Sequence, residues 1–385
     1  MRSLFLLSTL LLGTHLAFAG NFAVGTCKPM LKSFTTIQGA VSSVPPGSNI
    51  LVCPGTYPEQ VTISQSLRLQ GVADSNLGEV LITIPSTGLT GIVTSVFGEP
   101  VVAQLLVQTT GQVNISNITV DGTGGDQGCA NWLAGIFYGG GASGNIVHVR
   151  TRNQIDTNCG VGVWAENGSG SSASIAIQNS SVHDADAAGI FVGASSTSPL
   201  SVAIRGNFVS PNSVGGFAVD ATSVTGDITN NDLTGALVGV YDLAPGLNIS
   251  GNGVSAVQYG MLLLAPGTAQ YNDIMNTGLG FSLSTGTLLQ ANRITQSSTV
   301  AIELNCSALT VSHNTINDAV VGLGDVPAGF SASNIFANTG TISTNTCTAP
   351  VATLSVKKGA ARAANTSSFL QWRTPANPNG VRPLN

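Results

Sequence analysis

The densest set of chemically competent side chains is His183-Asp184-Ala185-Asp186. On an extended segment, carboxylates two residues apart stand about 6.5 Å from each other, from the rise per residue of a strand. That separation suits paired-carboxylate glycoside hydrolysis. It equally suits oxygen ligation of a calcium ion. A solvated turn is the third reading, because Asp is common in turns. Nearby, Val161-Gly162-Val163-Trp164-Ala165-Glu166 alternates as a strand. With the valines inward, Trp164 and Glu166 face outward together, where a ring beside an acid would stack on and hydrogen-bond a sugar. The same pair could instead pack beneath a neighbouring loop. Phe137 and Phe191 fall on the same outer face by alternation. The candidate acid, base or nucleophile set is therefore Asp184, Asp186 and Glu166. The candidate ligand-binding set is Trp164, Phe191, His183, Asp220 and Asp242. His148 and His313 stand alone and carry no triad.

These residues cluster in the part of the chain with the longest repeats. An Asn recurs in an apolar setting at Asn179, Asn207, Asn231, Asn252, Asn272, Asn292, Asn314 and Asn334. The intervals are 28, 24, 21, 20, 20, 22 and 20 residues. A period near twenty built from short apolar alternations marks one turn of a solenoid. Each Asn suits a turn, where its side chain bonds to backbone and to the Asn of the next coil. Nine or ten rungs are expected between 111 and 349, about 4.8 Å apart. Asn231, Asn252, Asn272 and Asn292 should lie in one line. Coils between 117 and 207 are longer, with Thr151 standing in the Asn place. Their extra length must leave the solenoid as loops, which is where binding usually sits on a rigid scaffold.

The start of the chain supplies a different pattern. Phe34, Ile37, Ala40, Val41 and Val44 recur at helical spacing, so 34–44 reads as an amphipathic helix closing the open end of the stack. Pro45-Pro46-Gly47 ends it. The stretches Phe34-Thr35-Thr36-Ile37-Gln38, Ile50 to Glu59 (ILVCPGTYPE) and Leu67-Arg68-Leu69-Gln70-Gly71 resemble the opening of right-handed parallel β-helix proteins. That is the pectin-lyase-like superfamily, which includes pectinesterases and carbohydrate-binding repeat proteins. The resemblance is close over the opening and continues to about residue 349 by pattern. It implies an all-β, single-stranded right-handed parallel β-helix, and it points towards polysaccharide. It assigns no catalytic residue. The chain lacks the Asn-Thr-Asp, Asp-Asp and Gly-His-Gly set, the Gln-Asp-Thr-Leu stretch and the Asp-Pro-His motif of the enzymes on this fold. Whether the chain is an enzyme stays open at this point.

Composition narrows the partners. Charged residues make up 8 % of the chain and the net charge is −5. Residues 350–385 hold five basic residues and no acid, so 3–349 carry −11. An acidic body lacks the Lys and Arg needed to neutralise phosphates, which excludes a nucleic-acid binder. Arg2, the apolar run Leu4–Leu12 and Ala17-Phe18-Ala19 read as a signal peptide over 1–19, too short to span a bilayer. Secretion, or export to a periplasm, follows. The six cysteines suit an oxidising compartment and pair as Cys27–Cys53, Cys129–Cys159 and Cys306–Cys347. Cys129 and Cys159 are one long coil apart. Cys306 and Cys347 are two short coils apart and need a loop that bends back. The divisions are therefore 1–19, a cap with first coils over 20–110, coils over 111–349, and a basic tail over 350–385. The chain reads as a monomer. Its partner is a polysaccharide, or, in the competing reading, an acidic surface gripped by the tail of a stiff non-catalytic spacer.

Overall fold

A computed structural model describes residues 19–347, apart from 73–77, 213–215, 256, 257, 285, 308 and 331. The expected signal peptide up to residue 18, and the expected basic tail, lie outside the described residues. The fold is a right-handed parallel β-helix. Each coil contributes a strand to a first sheet, a short strand to a second, and a strand to a third. From 112 onward the first sheet stacks Gln112–Ser116, Ser143–Val147, Ala173–Gln178, Leu200–Arg205, Thr225–Thr229, Asn248–Ser250, Thr268–Gln270, Leu288–Gln290 and Thr310–Ser312. That is nine rungs, within the expected number. The second and third sheets merge in the shortest coils. There Asp273–Leu283 and Arg293–Glu303 run unbroken through the corner, which Asn276 and Gln296 turn with positive φ.

Alternation builds the interior. Val113, Ile146, Ile177, Ile204, Ile228 and Ile249 belong to one buried core cluster, together with Val163, Ile190, Val219, Val240, Met261 and Phe281 from the third sheet. A single helix among the described residues, α1 (Ile37–Ser43), lies inside the expected 34–44 span. Thr36 caps it by accepting from Gly39 N–H, and Glu59 accepts from the Ile37 and Gln38 N–H groups. Those first-turn donors have no intrahelical acceptor, so the Glu59 carboxylate satisfies them and complements the helix dipole. Ile37, Ala40 and Val41 are buried in the first coils.

The Asn series forms an internal ladder. Asn252 is typical: its Oδ1 accepts from Asn231 N–H at 3.0 Å and Asn231 Nδ2 at 2.9 Å. Its Nδ2 donates to Asn272 Oδ1 and to Ile228 O, each at 2.9 Å. Two acceptor and two donor sites are thus filled, which is the whole capacity of the side chain. The ladder runs from Asn207 to Asn334 through every expected member. It departs from expectation at its lower end. Ser180, not Asn179, meets Asn207, with Ser180 N–H donating to Asn207 Oδ1. The position below is Val149, whose N–H donates to Ser180 Oγ, rather than Thr151. Asn179 instead occupies the preceding corner residue, with φ +49. Asn117, His148, Asn230, Tyr271, Ala291 and His313 occupy the same corner with positive φ. Asn tolerates that left-handed region better than most side chains, so two adjacent positions favour the same residue for different reasons.

All three expected disulfides are formed, with Cα–Cα distances of 5.7, 5.4 and 5.7 Å. The two-coil bridge works because the chain bends back. Cys347 Sγ lies 3.3 Å from Asp325 O, and Cys306 N–H donates to the same carbonyl at 3.0 Å. Three disulfides fit an extracellular or periplasmic setting. Among the described residues no helix is long and apolar enough to cross a membrane.

Candidate functional site

The exposed polar surface of the long coils is the outer face of the second sheet. Its strands are Val80–Thr83, Thr119–Asp121, Arg150–Arg152, Ser181–His183, Phe208–Ser210 and Asp232–Thr234. The central residues Val120, Thr151, Val182, Val209 and Leu233 are buried. Their neighbours must therefore point outward. The register stacks Thr119, Arg150, Ser181, Phe208 and Asp232 in one column. Asp121, Arg152, His183 and Ser210 flank it. Phe208 is 43 % exposed, a lone aromatic surface in a polar column.

Charges on this face are balanced in pairs. Arg152 Nε lies 2.7 Å from Asp121 Oδ2, and Glu79 is 3.6 Å from Arg152 and 4.0 Å from Arg150. Thr119 Oγ1 donates to Glu79 at 2.6 Å. Burial acts to raise the Asp121 pKa, but hydrogen bonds from Thr123, Asn153 and Arg152 outweigh it and hold the carboxyl at about 2. A shallow groove of about 380 Å³ runs beside the column, lined by Glu79, Asn117, Thr119, His148, Arg150 and Asn179 among others. A larger hollow of about 550 Å³ lies at the far end, around Leu288, Leu309 and Phe330, and its lining contains no titratable side chain. The groove is the chemically equipped one.

One wall of this face is a stack of loops, and here the expected carboxylate pair divides. Asp184 sits on the corner with φ +54, exposed, and its carboxylate lies 2.6 Å from His183 Nδ1. Asp186 is buried and accepts from Asp156, Asn158 and Gly160 N–H at 2.8, 2.8 and 2.6 Å. Asp156 repeats the device one coil lower, accepting from Gln127 and Cys129 N–H. The segment 184–186 is not extended, so the geometry assumed for paired catalysis is replaced by one exposed acid and one loop anchor.

The third sheet corrects the remaining expectations. Trp164, Phe191 and Glu166 do face outward from the solenoid, but they are 1 %, 0 % and 5 % exposed. An antiparallel excursion, Ile92–Thr94 against Pro100–Val102, carries the turn 95–99 over them. Phe97 packs edge-on to Phe191 at 5.5 Å, and Val96 N–H donates to Glu166 Oε1 at 3.0 Å. Trp164 Nε1 donates to the other Glu166 oxygen at 2.9 Å. Trp132, Phe137, Trp164 and Phe191 thus form a second apolar cluster outside the coil. Neither an open stacking platform nor an exposed base exists there. Burial, against the bonds from Trp164 and Val96, pushes Glu166 up to about 7. Asp220 and Asp242, also expected at a ligand, are both buried. Asp220 stands in the outward column between Phe191 and Tyr241. Asp242 stands in the column of Ala221 and Leu263, which belong to the interior cluster. Burial pushes Asp220 up to about 8 and Asp242 up to about 7.

Of the expected residues, His183 and Asp184 remain on the open face. Arg150, Asn179 and Phe208 are additions. The pattern Phe208-Val209-Ser210 held the signal for Phe208, because an inward Val209 forces its neighbour outward. Among the described residues no three His, Cys, Asp or Glu side chains gather as a metal group. The alternative reading of Asp184 and Asp186 as calcium ligands is not met by this geometry, since Asp186 spends both oxygens on backbone N–H groups.

No family model and no curated protein matches the chain. Solved structures do. The A-module of the mannuronan C-5 epimerase AlgE4 from Azotobacter vinelandii superposes with TM-score 0.52 at 15 % identity, covering 80 % of this chain and 90 % of that one. The Dettilon tailspike protein gives TM-score 0.52 at 12 % identity, covering 78 % of this chain and 63 % of that one. At these identities the likeness establishes the β-helix fold.

Proposed function

We propose that this chain binds a neutral polysaccharide lengthwise along the outer face of the second sheet, between Glu79 and Asp232. The observation that carries the reading is the outward column Arg150, Ser181, Phe208 and Asp232, one hydrogen-bonding or stacking group per coil. A repeating scaffold suits a repeating ligand. Phe208 offers an apolar ring for a sugar face, while Arg150, Asn179 and His183 offer hydrogen bonds to hydroxyls. The internal pairing of Arg152 with Asp121 and Glu79 leaves no excess positive field for a polyanion. Binding is favoured over hydrolysis because Asp186 is committed to the loop and Asp121 to Arg152. Export through a signal peptide at 1–19, and a separate basic tail from 350, belong to the same proposal.

Glycan-array binding followed by assay of reducing-sugar release tests it. The expected outcome is a neutral glycan hit with no release of reducing ends. Release would make the protein a hydrolase. No hit among plant, bacterial and algal glycans would favour the stiff-spacer alternative.

A further inference from the structure

The far end of the stack is a surface that glycan binding does not use. Thr310–Ser312 is the last strand of the first sheet, and Ile335–Ala337 and Thr341–Ser343 are the last of the second and third. Apolar side chains crowd this end. Val320, Ile335 and Ile342 are each more than half exposed. Phe330 and Phe336 pack on the interior cluster yet stay only half-buried. The hollow around Leu288, Leu309 and Phe330 lies at the same end. The ladder stops here too. Among the described residues its last member is Asn334, whose Oδ1 accepts from Asn314 N–H and Nδ2, each at 3.0 Å. An uncovered terminal coil leaves apolar core and strand-edge backbone groups in water, so a stack of coils needs a cap at each end. Helix α1 supplies the cap at the start. Among the described residues no element covers the other end.

We propose that this chain's own segment 350–356, Pro-Val-Ala-Thr-Leu-Ser-Val, docks on this end as a closing half coil. Three observations select that occupant over a second copy of the protein. The first is tethering. The Cys306–Cys347 bridge holds Cys347 at the terminal coil, and Val351 is four residues further on. Four extended residues span up to about 14 Å, against a rise of about 4.8 Å per coil. The second is register. Asn314 and Asn334 are 20 residues apart. Continuing that interval places Val351 above Val311, and Val356 above Phe336 and Ile316. Val311 and Ile316 are buried and Phe336 packs on the core, so both valines fall at inward positions of a strand-forming run. Leu354 takes the place of the ladder Asn, which ends the series and with it the stack. The third is charge. Lys357 and Lys358 follow at once, and lysines beside a new outer strand discourage further pairing on its edge.

Hydrogen exchange of the full chain, read peptide by peptide by mass spectrometry, tests this, with light scattering for the oligomeric state. Amides over 350–356 should exchange at least ~10-fold more slowly than in an unstructured chain. Val351→Asp and Val356→Asp each put a charge at an inward position. Each should return 350–356 to the unstructured rate and speed exchange over 335–337 at least ~3-fold. The coils before residue 300 should be unchanged in both variants, because each coil contacts only its neighbours, so both should fold. Truncation after Val356 should keep the wild-type protection of 335–337, and truncation after Cys347 should lose it. Exchange over 350–356 at the unstructured rate in the wild type overturns the proposal. So does protection of 335–337 that survives truncation after Cys347. A dimer whose protection of 335–337 falls on dilution would give this end to a second copy and also overturns it.

Discussion

Replacing Asn252 by Ala isolates the force that stacks the coils. The side chain fills four hydrogen bonds inside a shell where Asn252 is 1 % exposed. Ala removes all four. Two donors then lose their acceptor, the Asn231 N–H and one Asn231 Nδ2–H, in a place water cannot reach. Each orphaned donor costs about 1–3 kcal/mol. The variant should therefore lose about 3 kcal/mol, measured by urea unfolding with intrinsic fluorescence. Asn179→Ala is the matched comparison, because the sequence pattern places both residues in one series. Asn179 is an exposed corner residue at φ +49, so only the left-handed strain of Ala applies, about 1 kcal/mol. A loss below ~1 kcal/mol at Asn252, or equal losses at the two positions, would refute the ladder argument.

Three further outcomes follow from named groups. Glu166 has a folded pKa of about 7, above its ordinary 4.5, so the native state holds a proton that the unfolded chain releases. Stability should therefore be fully present below about pH 4.5 and fall by up to ~3 kcal/mol as pH rises through 7, with Glu166→Gln flattening that slope in urea titrations at pH 5 and 8. A slope of opposite sign, or one unchanged in Glu166→Gln, would contradict the burial argument. Asp186→Ala should cost about 3 kcal/mol by orphaning loop N–H groups, whereas Asp184→Ala should cost only the left-handed strain of Ala at φ +54, about 1 kcal/mol, both read by thermal melts. Arg150→Ala should weaken binding of an array-selected glycan several-fold with unchanged Tm, since Arg150 is half exposed.

The solenoid was legible because a buried Asn is needed once per coil and apolar alternation surrounds it. The register failed at Asn179 because the corner residue before the ladder also favours Asn. Asn117, Asn179 and Asn230 all take that corner, and only the fold separates the two roles. Trp164 shows a second limit. Alternation correctly placed it outward, yet outward is not exposed when the turn 95–99, about seventy residues earlier, folds over it. Neither strand period nor local composition encodes that contact. The Asp184 and Asp186 pair shows a third. Spacing gave a separation only for extended backbone, and the positive φ at Asp184 sends the two carboxylates to different environments. The disulfides were legible from coil length, because bridging distance depends on whole coils and a return loop rather than on side-chain detail.

The central claim is that glycan lies on the second-sheet face, and Phe208→Ala tests it most directly. Phe208 is 43 % exposed and its ring has no part in either apolar cluster. Its removal should leave the melting temperature unchanged. Calorimetric titration with the strongest array-selected neutral glycan should then show affinity reduced about tenfold, the loss of about 1.4 kcal/mol expected for one stacking contact. Wild-type affinity in Phe208→Ala, at wild-type stability, would contradict the account and move the ligand to another face.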